Sequence, residues 1–421
     1  MLSVEREILI LIIGWVSGHL VLWGTVWKNW KFPVTVISTI LLIAVYALKP
    51  ATGDLWSYSF FFDTGYSQIN HDSERIPRTE PTLKGYSINE VASTDRTGEP
   101  YSQRYSGSPL FHWAIKWASQ ILPHGSKWPR LQALGMRAIS DALIIFVVGI
   151  GLFLILLTIY LGRQGGSSQE KNPIALFQSL PFVLGSVYFF VGSQNSVRQF
   201  LMLGCCMLFG ACIRSRKFVL AILFGSATIT FHQFGFVFIL MLLWIMIVPK
   251  NLHYSIDQPF CPIYITGLFV GLVSGIVIAV GIKVAVFSGI GQVSQYVFLE
   301  DSSYSFRTPA ITKLILVSMY VFASEILAAR SRHLETDHYR YLRLASLGLV
   351  APLVIFPEIF SRLLFFFFAV ELLFVCFAVT SGVRRYAGSA ALILSVYGFA
   401  PNAINILVGV GWLEVLRSAY F

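Results

Sequence analysis

Long apolar runs, separated by short polar stretches, recur along almost the whole chain of 421 residues. An α-helix rises about 1.5 Å per residue, so about 20 apolar residues are needed to cross the hydrocarbon core of a bilayer. The pattern predicts about twelve transmembrane helices. Runs that are short, such as those near 198–213, 218–232 and 234–248, suit half-helices that end beside a cavity. The approximate bounds are 8–27, 33–48, 138–161, 174–191, 198–213, 218–232, 234–248, 261–287, 311–329, 343–357, 361–382 and 387–412.

The same pattern divides the chain into three parts. Residues 1–48 contain the first two predicted helices, and residues 138–421 contain about ten more. Between them, residues 49–137 form the one segment that is long enough to build structure outside the bilayer. After Pro109 this segment becomes aromatic with scattered polar groups, which favours an interfacial helix.

Composition agrees with a membrane protein, because 56% of the residues are hydrophobic and only 12% are charged. The expected fold class is therefore an all-α polytopic integral membrane protein with a large outer loop. The five cysteines fall inside apolar runs without CxxC spacing, which indicates buried apolar residues and implies no metal or other cofactor. The net charge of +10 does not indicate a nucleic-acid partner, because the basic residues occupy short loops between the runs.

Basic residues are concentrated in alternate loops, which predicts an orientation. Cytoplasmic loops of membrane proteins are enriched in Lys and Arg, so the basic loops are expected to lie inside and the N-terminus outside. The polar clusters in the remaining loops then face outward. The basic loops hold Lys28, Lys31, Arg163, Lys171, Arg214, Arg216, Lys217, Lys250, Arg330, Arg332, Arg340, Arg343, Arg384 and Arg385.

Residues 192–236 contain an arginine and a histidine that are predicted to lie at one depth. Two apolar runs flank the basic turn 214–217, with Arg198 sixteen residues before it and His232 fifteen residues after it. If both runs are helices, each side chain lies roughly 22 to 24 Å from the turn. Ionisable groups at such a depth are costly and usually functional, so the pair predicts a site.

Four short motifs, in this order, resemble the EpsG family of Wzy-type polysaccharide polymerases. The outer loop opens with Asp54 and Tyr58 in an Asp-x-x-x-Tyr pattern, and Asn195, Arg198 and Gln199 form Asn-x-x-Arg-Gln at the start of a run. Phe-His closes the next run at His232, and a later arginine, Arg362, begins another. One departure is that Ser108-Pro109 stands where the family often has an acidic residue and proline, whereas Glu99-Pro100 lies nine residues earlier.

The resemblance implies an architecture similar to GT-C glycosyltransferases and an inverting, metal-independent glycosyltransferase. It implies transfer of a growing glycan on undecaprenyl diphosphate to a lipid-linked oligosaccharide repeat unit, so that lipid-linked glycans are both donor and acceptor. The site would face the periplasm or outside of a multi-pass protein in the bacterial inner membrane. A chain-length regulator protein is an expected partner, and the polymer would be O-antigen or exopolysaccharide.

The leaving lipid diphosphate gains negative charge during such a transfer, and guanidinium groups bind phosphate through paired hydrogen bonds. Arg198 and Arg362 are the predicted phosphate ligands. A base must also remove the proton of the acceptor hydroxyl, and His232 has a suitable ordinary pKa. Glu358 and Asp63 are rival bases, and Glu300 with Asp301 is a weaker third choice. Predicted substrate-binding residues are Asp54, Tyr58, Tyr66, Asn195, Gln199, Gln233, Glu99 and Arg104.

Three other functions stay open at this stage. An O-antigen ligase would use the same lipid substrate, and a GT-C glycosyltransferase would use a polyprenyl-phosphate sugar but places its acidic pair after the first helix. A lipid-linked oligosaccharide flippase or other transporter would be expected to show paired repeats and charges near the bilayer midplane. Clustering of the polar groups at one face favours an enzyme that works from that face.

Overall fold

The computed structural model describes residues 31–48, 108–122, 141–164, 173–186, 188–189, 192–193, 197–232, 234–247, 262–287, 310–329 and 337–380. These residues are almost entirely helical, and a short 3-10 turn, Ala351–Ile355, precedes the last helix. The α-helices are α1 Lys31–Leu48, α2 Pro109–Ile121, α3 Asp141–Gln164, α4 Pro173–Leu184, α5 Val197–Arg214, α6 Phe218–Phe231, α7 Gly235–Ile247, α8 Pro262–Phe287, α9 Ala310–Ala329, α10 Asp337–Val350 and α11 Pro357–Thr380.

Three described helices are long and apolar enough to cross a membrane, by length and composition: α3, α5 and α8. On α8 large apolar side chains point away from the protein, including Phe269, Val277 and Val284, each more than 60% exposed. Such a surface is stable in lipid and unfavourable in water. The structure therefore supports the helical fold class and the membrane assignment.

Most predicted runs coincide with described helices, while 8–27 and 387–412 lie outside the described residues. The run 174–191 was predicted as one helix, and this is wrong. Helix α4 ends at Leu184, three residues after Pro181, and the Gly185 N–H bonds back to the Pro181 carbonyl at 2.9 Å. The Ser186 N–H and hydroxyl both bond to the Val183 carbonyl, at 3.2 and 2.8 Å, and such local bonds replace the next helical turn.

The hairpin predicted around the basic turn is confirmed as two packed helices, α5 and α6. The Lys217 N–H bonds to the Cys212 carbonyl at 2.9 Å and the Arg216 N–H to the Ile213 carbonyl at 3.1 Å. This pair of bonds is the Schellman motif, which ends a helix with one left-handed residue. Arg216 is that residue, with φ 58°. The motif reverses the chain directly, so α6 runs back along α5.

Helices α8 and α10 approach so closely that their backbones touch. The sequence of α8 places Gly267, Gly271 and Gly275 four residues apart, on one face. A Cβ atom added at Gly271 would collide with the backbone carbonyl of Ala345 on α10. Close backbone approach through small residues is the usual way in which membrane helices gain packing energy without a hydrophobic driving force.

Helices α9, α10 and α11 enclose an ion cluster, defined here as Glu325, Arg340, Arg343 and Glu371 with Tyr320. Arg340 Nη2 lies 2.8 Å from Glu325 Oε2, and Arg343 pairs with Glu325 through Nη2 and with Glu371 through Nη1, the latter at 3.3 Å. Tyr320 donates its hydroxyl proton to Glu371. The four charged side chains are at most 2% exposed.

The ion cluster corrects two sequence predictions. The run 343–357 was predicted as one helix, but α10 begins earlier at Asp337 and ends at Val350. Arg340 and Arg343 were also assigned to a basic cytoplasmic loop, whereas both are buried inside the helical core. The physical reason is that Glu325 and Glu371 neutralise the two arginines, so the charged stretch continues the helix where a loop was expected.

Replacing Gly271 with alanine tests the close approach of α8 and α10. The new methyl group would force the helices apart, and overpacking of this kind costs about 1–3 kcal/mol. Gly281→Ala on the same helix is the matched control, because nothing lies within 4 Å of a Cβ atom there. The measurement is the midpoint of detergent-induced unfolding. Equal midpoints for the two variants would contradict the described packing.

Replacing Arg343 with methionine tests the ion cluster. The change leaves the buried Glu371 without its arginine, and breaking one side of a buried ion pair costs about 3–5 kcal/mol. Adding Glu371→Gln should restore a large part of the lost stability, because the carboxylate is then removed as well. Thermal unfolding in detergent measures both variants, with the exposed Lys217→Met as the control. Additive losses in the double variant would show that the two groups do not interact.

Candidate functional site

Arg198 lies in the first turn of α5, beside the start of α2. Its Nη1 donates a hydrogen bond of 3.4 Å to the Ser108 hydroxyl, which immediately precedes α2. Helix α2 packs against α6, the other arm of the hairpin. Helix α2 is therefore fixed beside the end of the hairpin that carries Arg198.

His232 is the first residue after α6, at the same end of the hairpin as Arg198. The Gly235 N–H bonds to the His232 carbonyl at 2.7 Å, and α7 begins at once. A Cβ atom at Gly235 would collide with the Thr228 carbonyl, so this turn needs glycine. Helix α6 has 14 residues, so it rises about 21 Å, less than the roughly 30 Å of a hydrocarbon core.

Arg362 lies in the second turn of α11, and its backbone is tied to α5. Gln199 donates a hydrogen bond of 2.6 Å from Nε2 to the Arg362 carbonyl. The guanidinium groups of Arg362 and Arg198 both interact electrostatically with His232. Three residues that are far apart in the sequence therefore share one region of the structure.

Aromatic packing beneath this region holds α5 and α11 in register. The Tyr188 ring lies 5.0 Å from the Phe200 ring and 5.2 Å from the Phe365 ring, and its hydroxyl donates to the Phe200 carbonyl at 2.6 Å. Phe200 is two residues after Arg198, and Phe365 is three residues after Arg362. Rings packed at this spacing, with the hydroxyl bonded, give a rigid support for both arginines.

The structure adds His112 on α2, which was not among the predicted site residues. The backbone N–H of His112 bonds to the Ser108 carbonyl at 3.3 Å, so both residues lie on the same side of the first turn of α2. Burial, and secondly the Arg198 guanidinium, lower the pKa of His112 from its ordinary 6.5 to about 4. His112 is therefore neutral at physiological pH. The sequence feature that could have pointed to His112 is its position as a polar residue next to the apolar face of an amphipathic helix.

A main-chain hydrogen bond determines which nitrogen of His232 carries the proton. The Phe234 N–H lies 3.2 Å from Nδ1 of His232. A backbone amide is always a donor, so Nδ1 must be the acceptor. Neutral imidazole has one donor and one acceptor, which leaves the proton on Nε2. In this conformation His232 presents an N–H group through Nε2.

We refer to Ser108, His112, Arg198, Gln199, His232 and Arg362 as the outer cluster, after the orientation that the sequence predicts. It combines two guanidinium groups with two imidazoles, contributed by α2, α5, α11 and the turn after α6. Guanidinium groups bind phosphate oxygens through paired, charge-assisted hydrogen bonds. Among the described residues, no three His, Cys, Asp or Glu side chains are grouped so as to hold a metal ion.

Several predicted residues cannot be compared with the structure. Glu358 lies in the first turn of α11, but its side chain is outside the described set. The other predicted residues lie outside the described residues altogether and keep their predicted roles: Asp54, Tyr58, Asp63, Tyr66, Glu99, Arg104, Asn195, Gln233, Glu300 and Asp301.

No protein-family model, curated protein or solved structure matches this chain.

The pKa of His112 tests the geometry of the outer cluster. Arg198→Met should raise this pKa above about 4, because the repulsion between the guanidinium and the imidazolium is removed. The pKa should stay below 6.5, since burial is the larger cause and persists. An NMR titration of histidine-labelled protein measures it, and Lys217→Met is the control. An unchanged pKa would place Arg198 away from His112.

Proposed function

We propose that this protein is a polysaccharide polymerase, an inverting glycosyltransferase that joins lipid-linked glycans. The observation that carries the proposal is the outer cluster, in which Arg198 and Arg362 approach His232 from two different helices. The donor would be a growing glycan on undecaprenyl diphosphate, and the acceptor would be a single lipid-linked repeat unit. These are the substrates implied by the resemblance to the EpsG family, and no cofactor is part of the proposal.

The charge of the outer cluster suits the departing group of this reaction. When the glycosidic bond to the diphosphate breaks, negative charge builds up on the phosphate oxygens. Groups that are already oriented toward this charge stabilise the transition state, and losing one such donor costs about 10²–10³ in rate. Ser108 accepts from the guanidinium of Arg198, and Gln199 holds the backbone of Arg362, so one cation and the helix that carries the other are positioned in advance.

The depth of the outer cluster suits a lipid substrate. Helix α6 is shorter than a full crossing, so His232 would lie within the thickness of the bilayer, at the level of Arg198. A diphosphate attached to a membrane lipid could then reach the cluster from the side. The basic turn 214–217 would face the cytoplasm by the positive-inside rule, which turns the cluster toward the outside of the inner membrane.

The exposed face of α2 offers a surface for sugars. Trp113 and Trp117 stack with ring centroids 6.3 Å apart and planes 9° apart, and they are 63% and 46% exposed. His112, beside Trp113, is half-buried and interacts electrostatically with Arg198. A glycan that leaves the outer cluster would pass these rings, whose apolar faces match the faces of sugar rings. A chain-length regulator could act on the same emerging glycan.

An O-antigen ligase is the nearest alternative, since it would use the same diphosphate and the same pair of arginines. A polyprenyl-phosphate-dependent glycosyltransferase would release a monophosphate, which carries less negative charge than a diphosphate and has less need of two arginines. Polymerase and ligase differ in what they make when lipid-linked repeat units are the sole substrate. A polymerase converts lipid-linked repeat units alone into a ladder of lengths, whereas a ligase leaves them unchanged.

Arg198→Ala tests the proposed function. Purified protein in lipid vesicles receives lipid-linked repeat units as the sole substrate, and product length is measured by gel electrophoresis. The variant should fold normally but lose at least about 100-fold in polymerisation rate, because a phosphate ligand is missing. Lys217→Ala, at the opposite end of the hairpin, is the control and should leave the ladder intact. Chain lengths in Arg198→Ala that match the natural protein would refute the assignment.

A further inference from the structure

The two imidazoles of the outer cluster differ in the hydrogen bonds that they make. We propose that His112 accepts the proton of the attacking hydroxyl, while His232 donates a fixed hydrogen bond to the departing diphosphate. This assignment rests on the proposed glycosyl transfer and goes beyond it by dividing the work between the two histidines. It also replaces the sequence-based prediction in which His232 is the base.

The tautomer of His232 excludes it as the base in the described conformation. Nδ1 already accepts the Phe234 N–H at 3.2 Å, and Nε2 carries the proton. A base needs an available lone pair, and neither nitrogen offers one. The Gly235 N–H also bonds to the His232 carbonyl, and a Cβ atom at Gly235 would collide with the Thr228 carbonyl. The imidazole is therefore held as a donor.

The surroundings of His232 match the role of a donor to an anion. Arg198 and Arg362 both interact electrostatically with it, so any diphosphate bound by these arginines lies next to the imidazole. The ring is 9% exposed and stacks on Phe234 at 5.5 Å. A neutral N–H donor in a buried setting stabilises developing charge well, because water does not compete for it.

Ser108 links His112 to Arg198, since its hydroxyl accepts from Arg198 Nη1 at 3.4 Å and its carbonyl accepts from the backbone N–H of His112 at 3.3 Å. His112 also interacts electrostatically with Arg198. Trp113, the next residue, is 63% exposed and lies along the proposed path of the glycan. The free protein keeps this histidine neutral, which is the state in which it accepts a proton. A diphosphate on Arg198 would offset the positive charge beside His112 and raise its pKa, so substrate binding makes it a better base.

The proposed step forms one glycosidic bond and breaks one bond between a sugar and a phosphate oxygen. The acceptor hydroxyl oxygen forms a bond to the anomeric carbon of the donor glycan, and its proton moves to the imidazole of His112. The bond between that carbon and the phosphate oxygen breaks, and its electron pair leaves with the lipid diphosphate. His232 and the two arginines bind the departing oxygens. The imidazolium of His112 then returns its proton to water.

Glutamine substitutions separate the two roles, since the glutamine amide mimics the Nε2–H donor but cannot act as a base. His232→Gln should lose less than about tenfold in kcat, whereas His232→Ala should lose about 10²–10³. His112→Gln and His112→Ala should both lose about 10²–10⁴ in kcat, with KM for the lipid-linked repeat within about threefold. Lys217→Ala is the control. Thermal unfolding shows whether any loss reflects misfolding, and His112→Asn, which also lacks a base, should lose activity like His112→Gln.

The opposite pattern overturns the assignment. If His232→Gln is as inactive as His232→Ala while folded His112→Gln and His112→Asn stay active, His232 is the base and His112 is not. If kcat is normal and only KM rises in the His112 variants, His112 binds substrate without taking its proton, and the assignment also fails.

A second measurement is independent of enzymatic activity. Nitrogen NMR of histidine-labelled protein reports which nitrogen of each neutral imidazole is protonated, and the His232→Gln and His112→Gln spectra assign the signals. His232 should show the proton on Nε2, and a proton on Nδ1 would overturn its assignment as a donor. If the natural protein makes no polymer from lipid-linked repeat units, the proposed function fails, while the NMR result still decides the tautomer of His232.

Discussion

Positive charge inside an apolar, membrane-embedded fold must be compensated, and this requirement governs the arrangement of the described helices. Removing an ion from water costs several kcal/mol even after relaxation, so a buried arginine persists only with close partners. Arg340 and Arg343 satisfy the requirement through Glu325 and Glu371. Because these four residues come from α9, α10 and α11, compensation of charge also joins three helices. Arg343 additionally lies over the Phe374 ring at 4.4 Å, which adds a favourable cation–π contact.

The ion cluster has consequences for the distant outer cluster. Glu371 and Arg362 are carried by the same helix, α11, nine residues apart, so fixing Glu371 against α10 also limits rotation and sliding of the helix that carries Arg362. On its other side, α10 is held by the close packing of α8, whose Gly267, Gly271 and Gly275 let the two backbones touch. At the outer end, Gln199 ties α11 to α5, and Tyr188 fills the space between them. The ion cluster and its packing thus serve as scaffold, whereas the outer cluster presents its cations beside imidazoles.

Predictability from the sequence depended on whether a feature was local. Run length predicted the helices of the hairpin, and the basic turn predicted its reversal, because both rest on residues close together in the chain. The charged residues around 340 were misread, since a sequence pattern cannot show that carboxylates 15 to 28 residues away neutralise them. The end of α4 was misread because the run stays largely apolar beyond Leu184, and a serine can either continue a helix or bond to its last carbonyls, as Ser186 does with Val183.

By itself, the sequence determined the helical membrane class, the hairpin 197–231 and the placement of Arg198 and His232 at one end of it. These follow from apolar length and helical rise, which are local properties. Only the tertiary structure decided which residues join them. The bond from Arg198 to Ser108 spans 90 residues, and the bond from Gln199 to Arg362 spans 163. The proton position on His232 was decided in the same way, by the geometry of a turn, because a hydrogen bond depends on where the backbone amide points and not on the identity of its residue.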